Sequence, residues 1–552
     1  MDDVHAAECL APPDPFETGL AAFRRGDAPG AIRHFTAVLD DRPDFAPALT
    51  NRALAFWTGG YLHEAARDAA AAAAASPDLA EVWLITGAIA IDRGDSAGAI
   101  AAYRRAVALR PDLASGHAGL AAAYLAAGQP EATQQAAALA LSLDPACTHA
   151  RFTLGSARSM LGDPAGAIRL FDQVIAADPA HAGAWLNRGN ARINLDDIAG
   201  GTADLETAVA VNPAQKEGWA SLSVARTIRG DIAGAIAACD RAIALDPDFA
   251  VAHWNRGVAA LLGGDFATGF TAYEWRKLHP VYGPHFDRLG VPVWRGESLA
   301  GRHLLVRAEQ GLGDTIMFAR FLPHLAAQAA RATLACHPTL FPLFRDLGAA
   351  LCDINGPMPR DADIGIDQMS LPHVLGLTTE TIPAAAGYIA VPSPRPPPDG
   401  VRRIGLVWAG NPGHKNDQRR SLPPRAYEPL LRDEELARQG VRFVSLQLGA
   451  RRGEYDIEDL ASAITDYGTT ASILAGLEAL VTVDTSIAHL AGAMGATCHV
   501  LISASCDWRW LLGRDTTPWY DSLSLHRQTR LGDWSAPLAQ VRAVLAGADR
   551  AR

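Results

Sequence analysis

A 34-residue period governs the first half of this 552-residue chain. Proline marks each step, at positions 43, 77, 111, 145, 179, 213 and 247. Glycine keeps the same step at 26, 60, 94, 128, 162, 230 and 264, and Asp196 fills the one missing slot. The residues between each glycine and the next proline have the spacing of a short helix, which proline ends because it lacks an N–H donor. The period therefore predicts a stack of helical repeats, each covering the apolar face of its neighbour.

The repeat unit resembles the tetratricopeptide repeat, a helix–turn–helix. Small residues stand where the family's paired helices cross, at Gly19, Gly87, Gly155, Gly189 and Gly257 and at Ala31, Ala65, Ala99, Ala167 and Ala235. The family's bulky position is filled by Phe35, Tyr103, Phe171 and Tyr273 but is weak at Ala69, Ala137 and Cys239. We expect about eight units over residues 12–277, forming an α solenoid (a tetratricopeptide superhelix) whose last unit docks onto the next part of the chain. Such solenoids bind peptides or proteins.

Asn51, Asn187 and Asn255 occupy the same position of their repeats, and each is followed by arginine. In the arrays of O-GlcNAc transferases, which have this kind of repeat, asparagines at a matching position hold an extended peptide backbone. The resemblance implies that these three residues contact a protein or peptide acceptor. Ordinary polarity of a helix surface is the alternative, because most of the units lack the asparagine.

The composition excludes several classes of partner. The net charge of −11 argues against nucleic acid and against an anionic membrane surface. The seven cysteines are scattered without metal-ligand spacing, as is typical of reduced thiols. The N-terminal residues lack the apolar core of a signal peptide, and no apolar run is long enough to span a membrane. We expect a soluble cytoplasmic protein.

The second half alternates strands with helices. Strands are predicted at 303–307, 332–336, 362–366, 402–410, 441–449, 480–483 and 498–502. The proline-rich stretch 392–400 is predicted to be a linker between two α/β halves, 301–391 and 401–546, with 278–300 as the connector from the repeats. This alternation predicts parallel, doubly wound sheets that bind ligands at the carboxyl ends of their strands, with a cleft between the halves.

The stretch 480–495, LVTVDTSIAHLAGAMG, is the most informative segment of this half. A strand runs into Asp484, Thr485 and Ser486, and either hydroxyl can cap the helix that begins there. The apolar residues of that helix share one face, which leaves His489 on the opposite face, above the two hydroxyls. Free N–H groups and the helix dipole would make this turn a seat for an anion such as a diphosphate. A structural strand–turn–helix is the alternative.

Four segments together carry a second resemblance: EQGLGDTIMFARFLPHLA, GLVWAGNPGHKNDQRRS, VDTSIAHLAGAMG and CDWRWLLGRDTTPWY. They resemble the heptosyltransferase-like glycosyltransferases of family 9. The order of repeats and α/β module also resembles O-GlcNAc transferases and bacterial flagellin glycosyltransferases. The resemblance implies a GT-B module of two Rossmann-like halves that uses a nucleotide-sugar as co-substrate and needs neither a metal ion nor another cofactor. The only DxD of the second half, at 361–363, is expected to have no histidine partner nearby.

The resemblance also implies a donor site in the C-terminal half. Its phosphate seat would be formed by Asp484, Thr485, Ser486 and His489, with Lys415 as a mobile cation, preferred to Arg419 and Arg420. Gly410 and Asn411 would allow close approach of the donor, and Gln447 would point toward its base or ribose. For the arginines a solvated loop, and for Gln447 a polar strand end, are the alternatives. The full set of donor-binding residues is Gly410, Asn411, Lys415, Gln447, Asp484, Thr485, Ser486 and His489.

The N-terminal half would supply the catalytic base. Heptosyltransferases carry their proposed catalytic aspartate in a turn like 311–314, so the resemblance favours Asp314 as general base, facing the cleft. A structural helix cap is the alternative, with Glu309 and His337 as reserve bases. Trp508 and Trp510 are assigned to the core. We therefore expect a glycosyltransferase that modifies a protein captured by the repeats; a transferase acting on a glycolipid or small acceptor, or a non-enzymatic adaptor, are the alternatives.

Overall fold

The computed structural model describes residues 14–286, 289–383, 387–390, 401–414 and 416–547. These residues fall into two compact units that meet in the sequence at Pro213 and Ala214. The predicted linker 392–400 lies outside the described residues. Within the described residues, no helix is long and apolar enough to cross a membrane.

Paired helices follow the predicted period through the first unit. They are α1 (Pro15–Arg24), α2 (Ala28–Asp41), α3 (Ala46–Thr58), α4 (Leu62–Ala75), α5 (Ala80–Asp92), α6 (Ser96–Leu109), α7 (Ala114–Ala126), α8 (Pro130–Leu143), α9 (Thr148–Met160), α10 (Pro164–Ala177), α11 (Ala182–Asn194) and α12 (Ile198–Val211). The turn glycines adopt positive φ, and Asp196 does so too, at φ 64°, in the slot where the others have glycine. The predicted helical solenoid is confirmed.

The second unit begins with two more helix pairs of the same period. They are α13 (Lys216–Ile228), α14 (Ile232–Leu245), α15 (Ala250–Leu262) and α16 (Phe266–Tyr273). The last helix is short and passes directly into a 3-10 turn, Glu274–Lys277. Its rings of Phe266 and Phe270 pack on Trp519 and Trp508, with ring centroids 5.4 and 5.6 Å apart respectively. The last repeat therefore shares a core with the α/β part, as its sequence predicted.

A first parallel sheet has the strand order β3-β2-β1-β4. Its strands are β1 (His303–Arg307), β2 (Arg331–Cys336), β3 (Ala350–Asp353) and β4 (Ile364–Asp367), and its helices are α17 (Leu312–Phe318), α18 (Leu322–Gln328), α19 (Phe341–Phe344) and α20 (Leu371–Val374). The helix expected to begin at Asp314 begins at Leu312 and is interrupted by a 3-10 turn, Ala319–Phe321.

A second parallel sheet has the strand order β10-β9-β8-β5-β6-β7. Its strands are β5 (Arg402–Val407), β6 (Val441–Ser445), β7 (Glu458–Asp459), β8 (Ala479–Val483), β9 (Cys498–Ile502) and β10 (Leu523–Arg527). Its helices are α21 (Asp417–Arg420), α22 (Glu428–Leu431), α23 (Glu434–Arg438), α24 (Tyr467–Leu474), α25 (Ser486–Met494) and α26 (Ser535–Leu545). Because every described strand pair is parallel, the carboxyl ends of the strands lie along one edge of each sheet.

Candidate functional site

The turns after β1 and β8 are in direct contact. A Cβ atom placed on Gly313 would lie 2.8 Å from His489 Cδ2 and 3.2 Å from Ser486 Cα, so only glycine fits at this position without movement of α25. The first turns of the helices that follow β1 and β8, one from each half, therefore meet here, in the place where the sequence predicted a cleft. Around this contact lie the predicted base, the predicted phosphate seat and an arginine that the sequence did not single out.

Asp314 is the third residue of α17, and both of its carboxylate oxygens are engaged. Oδ2 accepts a hydrogen bond at 2.9 Å from the backbone N–H of Gly311, the N-cap residue of α17, so Asp314 stabilises the helix start from the third helical position and is not itself the N-cap that was the alternative. Oδ1 lies 2.5 Å from Nη2 of Arg509, which lies in the 3-10 turn Trp508–Trp510 between β9 and β10 of the second sheet. The structure thus places Asp314 at the contact between the sheets, held as half of an ion pair.

Arg509 is the residue that the sequence reasoning missed. Its guanidinium contacts Asp507 Oδ1 at 2.7 Å and lies over the ring of Trp508, 4.3 Å from the centroid. Burial acts to lower the pKa of Arg509, but the carboxylates of Asp314 and Asp507 outweigh it and raise the pKa. Its signal in the sequence was a single basic residue between two tryptophans. Both tryptophans are buried, as expected of core residues.

His489 does not face an open site. It is 4% exposed, its ring is stacked on Trp510 with centroids 5.2 Å apart, and Nδ1 lies 3.1 Å from the hydroxyl oxygen of Tyr520. Burial lowers its pKa to about 3, so the imidazole is neutral at physiological pH. The predicted exposure of His489 opposite the sheet is wrong, because α25 is covered on both sides and its residues 487–493 are all buried.

The predicted phosphate seat has an uncapped helix start. Thr485 is the N-cap residue of α25, but its side chain makes no capping hydrogen bond and instead lies 3.1 Å from Thr482 Oγ1. The hydroxyl of Ser486 lies 2.5 Å from that of Tyr467. The expectation that a hydroxyl caps α25 is therefore wrong, and the N–H groups of its first turn have no side-chain cap.

Asp484 lies at the carboxyl end of β8. Burial raises the pKa of Asp484 to about 6, with a further contribution from the nearby carboxylate of Asp507, while Arg420 and Arg509 act to lower it. Its carboxyl group would therefore change protonation near neutral pH, which is unusual for aspartate.

The loop after β5 brings a second arginine to this edge of the sheet. Gly410 donates its N–H to Ser421 Oγ at 3.0 Å, and a Cβ on Gly410 would lie 2.6 Å from both Arg420 Nη2 and Asp417 Oδ1. Arg420 and Asp417 form a half-buried ion pair of 3.3 Å. Gly410 thus allows a close approach, as predicted, but the group that approaches it is the Arg420–Asp417 pair of the protein itself.

Three other donor predictions have different outcomes. Asn411 is exposed, and its Oδ1 accepts from Gly413 N at 2.9 Å, so it shapes the loop. Lys415 lies outside the described residues. Gln447 is buried, accepts from the N–H groups of Trp408 and Ala409 at 3.0 and 2.9 Å, and donates to two backbone carbonyls. The prediction that Gln447 points toward a nucleotide is wrong, because its amide is engaged by the backbone of Trp408 and Ala409, just after β5, and by Leu448 O.

The two reserve bases, Glu309 and His337, make structural contacts. Glu309 is buried in a two-pronged ion pair with Arg276, at 2.6 and 3.0 Å, and also accepts from Met369 N. Burial raises its pKa, against the opposing effect of Arg276. His337 is exposed, and its Nδ1 accepts from Thr339 N at 3.2 Å. Neither residue is presented to a site in the way that a base requires.

The repeat asparagines make contacts with other residues of the repeats. Asn51 donates to the backbone of its own helix at 2.7 Å, and Asn187 donates to Ser156 Oγ at 3.1 Å. Asn255 is buried and donates to Ala220 O and to Ser223 Oγ, both at 3.2 Å. Two of the three amides therefore link neighbouring repeats, and their role in holding an acceptor stays a prediction.

The acidic pair at 361–363 is also structural. Asp361 pairs with Arg331 at 2.8 Å, and Asp363 accepts from the backbone N–H of His303 at 2.7 Å. The prediction that no histidine lies near this pair is wrong, because His303 Nδ1 is 3.5 Å from Asp361 Oδ2. Over the part of the chain that the structure describes, no group of three histidine, cysteine or acidic side chains is arranged to hold a metal ion.

Comparison with known proteins bears chiefly on the repeats. A curated relative, Protein FlbA of Caulobacter vibrioides (strain ATCC 19089 / CIP 103742 / CB 15), is 26% identical over 321 residues, which is 50% of this chain and 52% of that protein. The chain thus matches about half the length of this relative. Among solved structures, the APC/C hetero-tetramer Cut9-Hcn1 is 16% identical with a TM-score of 0.41, over 44% of this chain and 48% of that one. A tetratricopeptide repeat protein from Parabacteroides merdae ATCC 43184 is 15% identical with a TM-score of 0.39, over 44% and 97%.

Family models match the repeats directly. The model described as TPR repeat matches residues 87–128, and the model described as Tetratricopeptide repeat matches residues 16–80, 152–200, 186–248 and 229–274. These matches cover the helix pairs of both units from α1 to α16 in large part. The chain therefore carries an array of tetratricopeptide repeats, followed by an α/β region with two parallel sheets.

Proposed function

We propose that this protein is a glycosyltransferase that moves a sugar from a nucleotide-sugar to a protein acceptor held by its repeats. The α/β region would be a GT-B module whose halves are the two parallel sheets. The observation that carries the proposal is the contact between two strand–turn–helix segments, one from each sheet. The segment at α25 has an uncapped helix start, which can bind a phosphate, and the segment at α17 carries a carboxylate, which can act as a base. A transferase needs both groups close together, and here they lie side by side.

The donor would bind at the start of α25. The N–H groups of a first helical turn and the helix dipole attract anions, and here no side chain of Thr485 competes for them. Ligands of open parallel sheets bind at the carboxyl ends of the strands, which is where Asp484 and Ser486 lie. Arg420, and Lys415 on the same loop, would supply positive charge to the diphosphate leaving group.

The acceptor would be activated by Asp314. Its carboxylate, in the first turn of α17, pairs with Arg509, one residue along the helix from the contact of Gly313 with Ser486. A carboxylate within hydrogen-bond reach of an acceptor hydroxyl can remove its proton as the sugar is transferred. The repeats would bring the polypeptide, with Asn51, Asn187 and Asn255 as candidate contacts to its backbone.

The proposal is tested by measuring sugar transfer directly. The full chain is incubated with a panel of nucleotide-sugars and with proteins of its own source, and mass shifts of the acceptors are measured. Asp314→Asn should reduce turnover by about 100-fold or more, because a positioned base contributes that much. Asp95→Asn is the matched control, since Asp95 caps a repeat helix through Gly98 N and asparagine caps equally well. No mass shift with any donor, or wild-type turnover in Asp314→Asn, would contradict the proposal.

A further inference from the structure

A chain of polar contacts joins the last repeat to Asp314. Tyr273, at the end of α16, accepts a hydrogen bond from Gln310 Nε2 at 3.0 Å. Gln310 Oε1 accepts from Arg509 Nη2 at 3.5 Å, and the same nitrogen lies 2.5 Å from Asp314 Oδ1. Tyr273 is 4% exposed and Arg509 is 8% exposed. Tyr273 and Arg509 are therefore shielded from water, whereas Gln310 between them is exposed and Asp314 is half-buried.

The backbone of Gln310 is a second and independent observation. Gln310 has φ 63°, in the left-handed region that is unfavourable for residues with a Cβ atom. It stands between β1 and α17, where a glycine would adopt this conformation without cost. A glutamine held in such a conformation beside a candidate base indicates that its side chain has a role at this place.

We propose that Gln310 and Arg509 are positioning residues for Asp314, and that Tyr273 makes the last repeat part of the transfer site. The inference rests on the proposed function, because it takes Asp314 to be the base. Arg509 holds one carboxylate oxygen and the N–H of Gly311 holds the other, so both oxygens are kept in place by a contact. Each oxygen keeps a further lone pair, to which an acceptor hydroxyl can donate its proton.

Gln310→Gly separates positioning from stability. The change removes the amide but relieves the backbone, so the unfolding temperature should stay level or rise. If the amide positions Arg509 and Asp314, kcat should fall by about 100-fold while the KM for the nucleotide-sugar is unchanged, because a small misplacement of reacting groups has effects of that size. Asp196→Gly is the matched control, since Asp196 has φ 64° in a repeat turn, and it should keep wild-type kcat.

Three more variants test the chain of contacts on either side of Gln310. Tyr273→Phe removes only the hydroxyl and should lower kcat in the same direction as Gln310→Gly. Arg509→Met should lower kcat further, and Arg509→Lys should restore part of it, because lysine keeps the charge but not the planar fork. Tyr282→Phe is the control for the tyrosine, since Tyr282 is partly exposed on the connector.

Hydrogen exchange gives a readout that does not depend on activity. The N–H of Gly311 is bonded to Asp314 Oδ2, so its exchange rate reports whether the carboxylate is in place. Gln310→Gly and Tyr273→Phe should both speed this exchange without lowering the unfolding temperature. Wild-type kcat and unchanged Gly311 exchange in Gln310→Gly would overturn the inference, as would losses of kcat that follow losses of stability. An inactive wild type with faster exchange in the variants would instead refute the proposed function alone.

Discussion

The neutral, buried imidazole of His489 should make the stability of the second unit depend on pH. The pKa of His489 is about 3 in the folded protein, against an ordinary value of 6.5. The unfolded chain therefore binds the proton first as the pH falls, so the contribution to stability is complete above about pH 6.5 and is lost toward pH 3. When the pH falls from about 7.5 to about 5.5, a histidine with these pKa values in the unfolded and folded states lowers the free energy of unfolding by about 1.4 kcal/mol.

The assay compares His489→Phe with the wild type by urea unfolding at these two pH values, followed by tryptophan fluorescence. Phenylalanine keeps the stacking on Trp510 but cannot bind a proton, so the variant should lose about 1.4 kcal/mol less than the wild type on acidification. Tyr520→Phe is the control, because it removes the partner hydroxyl and keeps the buried imidazole. Equal pH dependence in wild type and His489→Phe would refute the assignment of a buried neutral histidine.

Three further substitutions test other parts of the second unit. Arg276→Met leaves Glu309 buried without its partner and should lower the free energy of unfolding by about 3–5 kcal/mol, measured by urea unfolding. Arg402→Met breaks an exposed pair and should cost less than about 1 kcal/mol in the same measurement. Gln447→Leu leaves the N–H groups of Trp408 and Ala409 without their acceptor and should cost about 2 kcal/mol or more; a cost near zero would contradict the contacts described.

The sequence predicted the repeats well because their information is local and repeated. The 34-residue step identifies each helix pair, and Asp196 fills the slot where the other turns have a positive-φ glycine. The strands β1 and β9 were predicted at their observed ends because both are short apolar runs. The three strands that were missed, β3, β7 and β10, all lie at sheet edges, where one neighbour suffices and the apolar run is weaker.

The candidate site was only partly predictable, because its side chains are defined by partners that are distant in sequence. Gln447 looked like a polar strand end, and only the fold shows that the backbone just after β5 engages its amide. His489 was placed by helical period, which cannot show that Tyr520 and Trp510 cover the far side of α25. For Asp314 the local cap was foreseen as an alternative, but its pairing with Arg509 depends on the packing of one sheet against the other.

The shared core of the last repeat has a consequence for how such a protein can be divided. Leu261 and the rings of Phe266 and Phe270 are buried in the same cluster as Trp508 and Trp519. A fragment that began at residue 278 would expose those apolar faces to water and should aggregate on expression. A fragment from residue 214 keeps them covered and is the shorter piece to express. Repeats that precede residue 214 can therefore be gained or lost without changing this core, whereas the last repeat is part of the core of the α/β region.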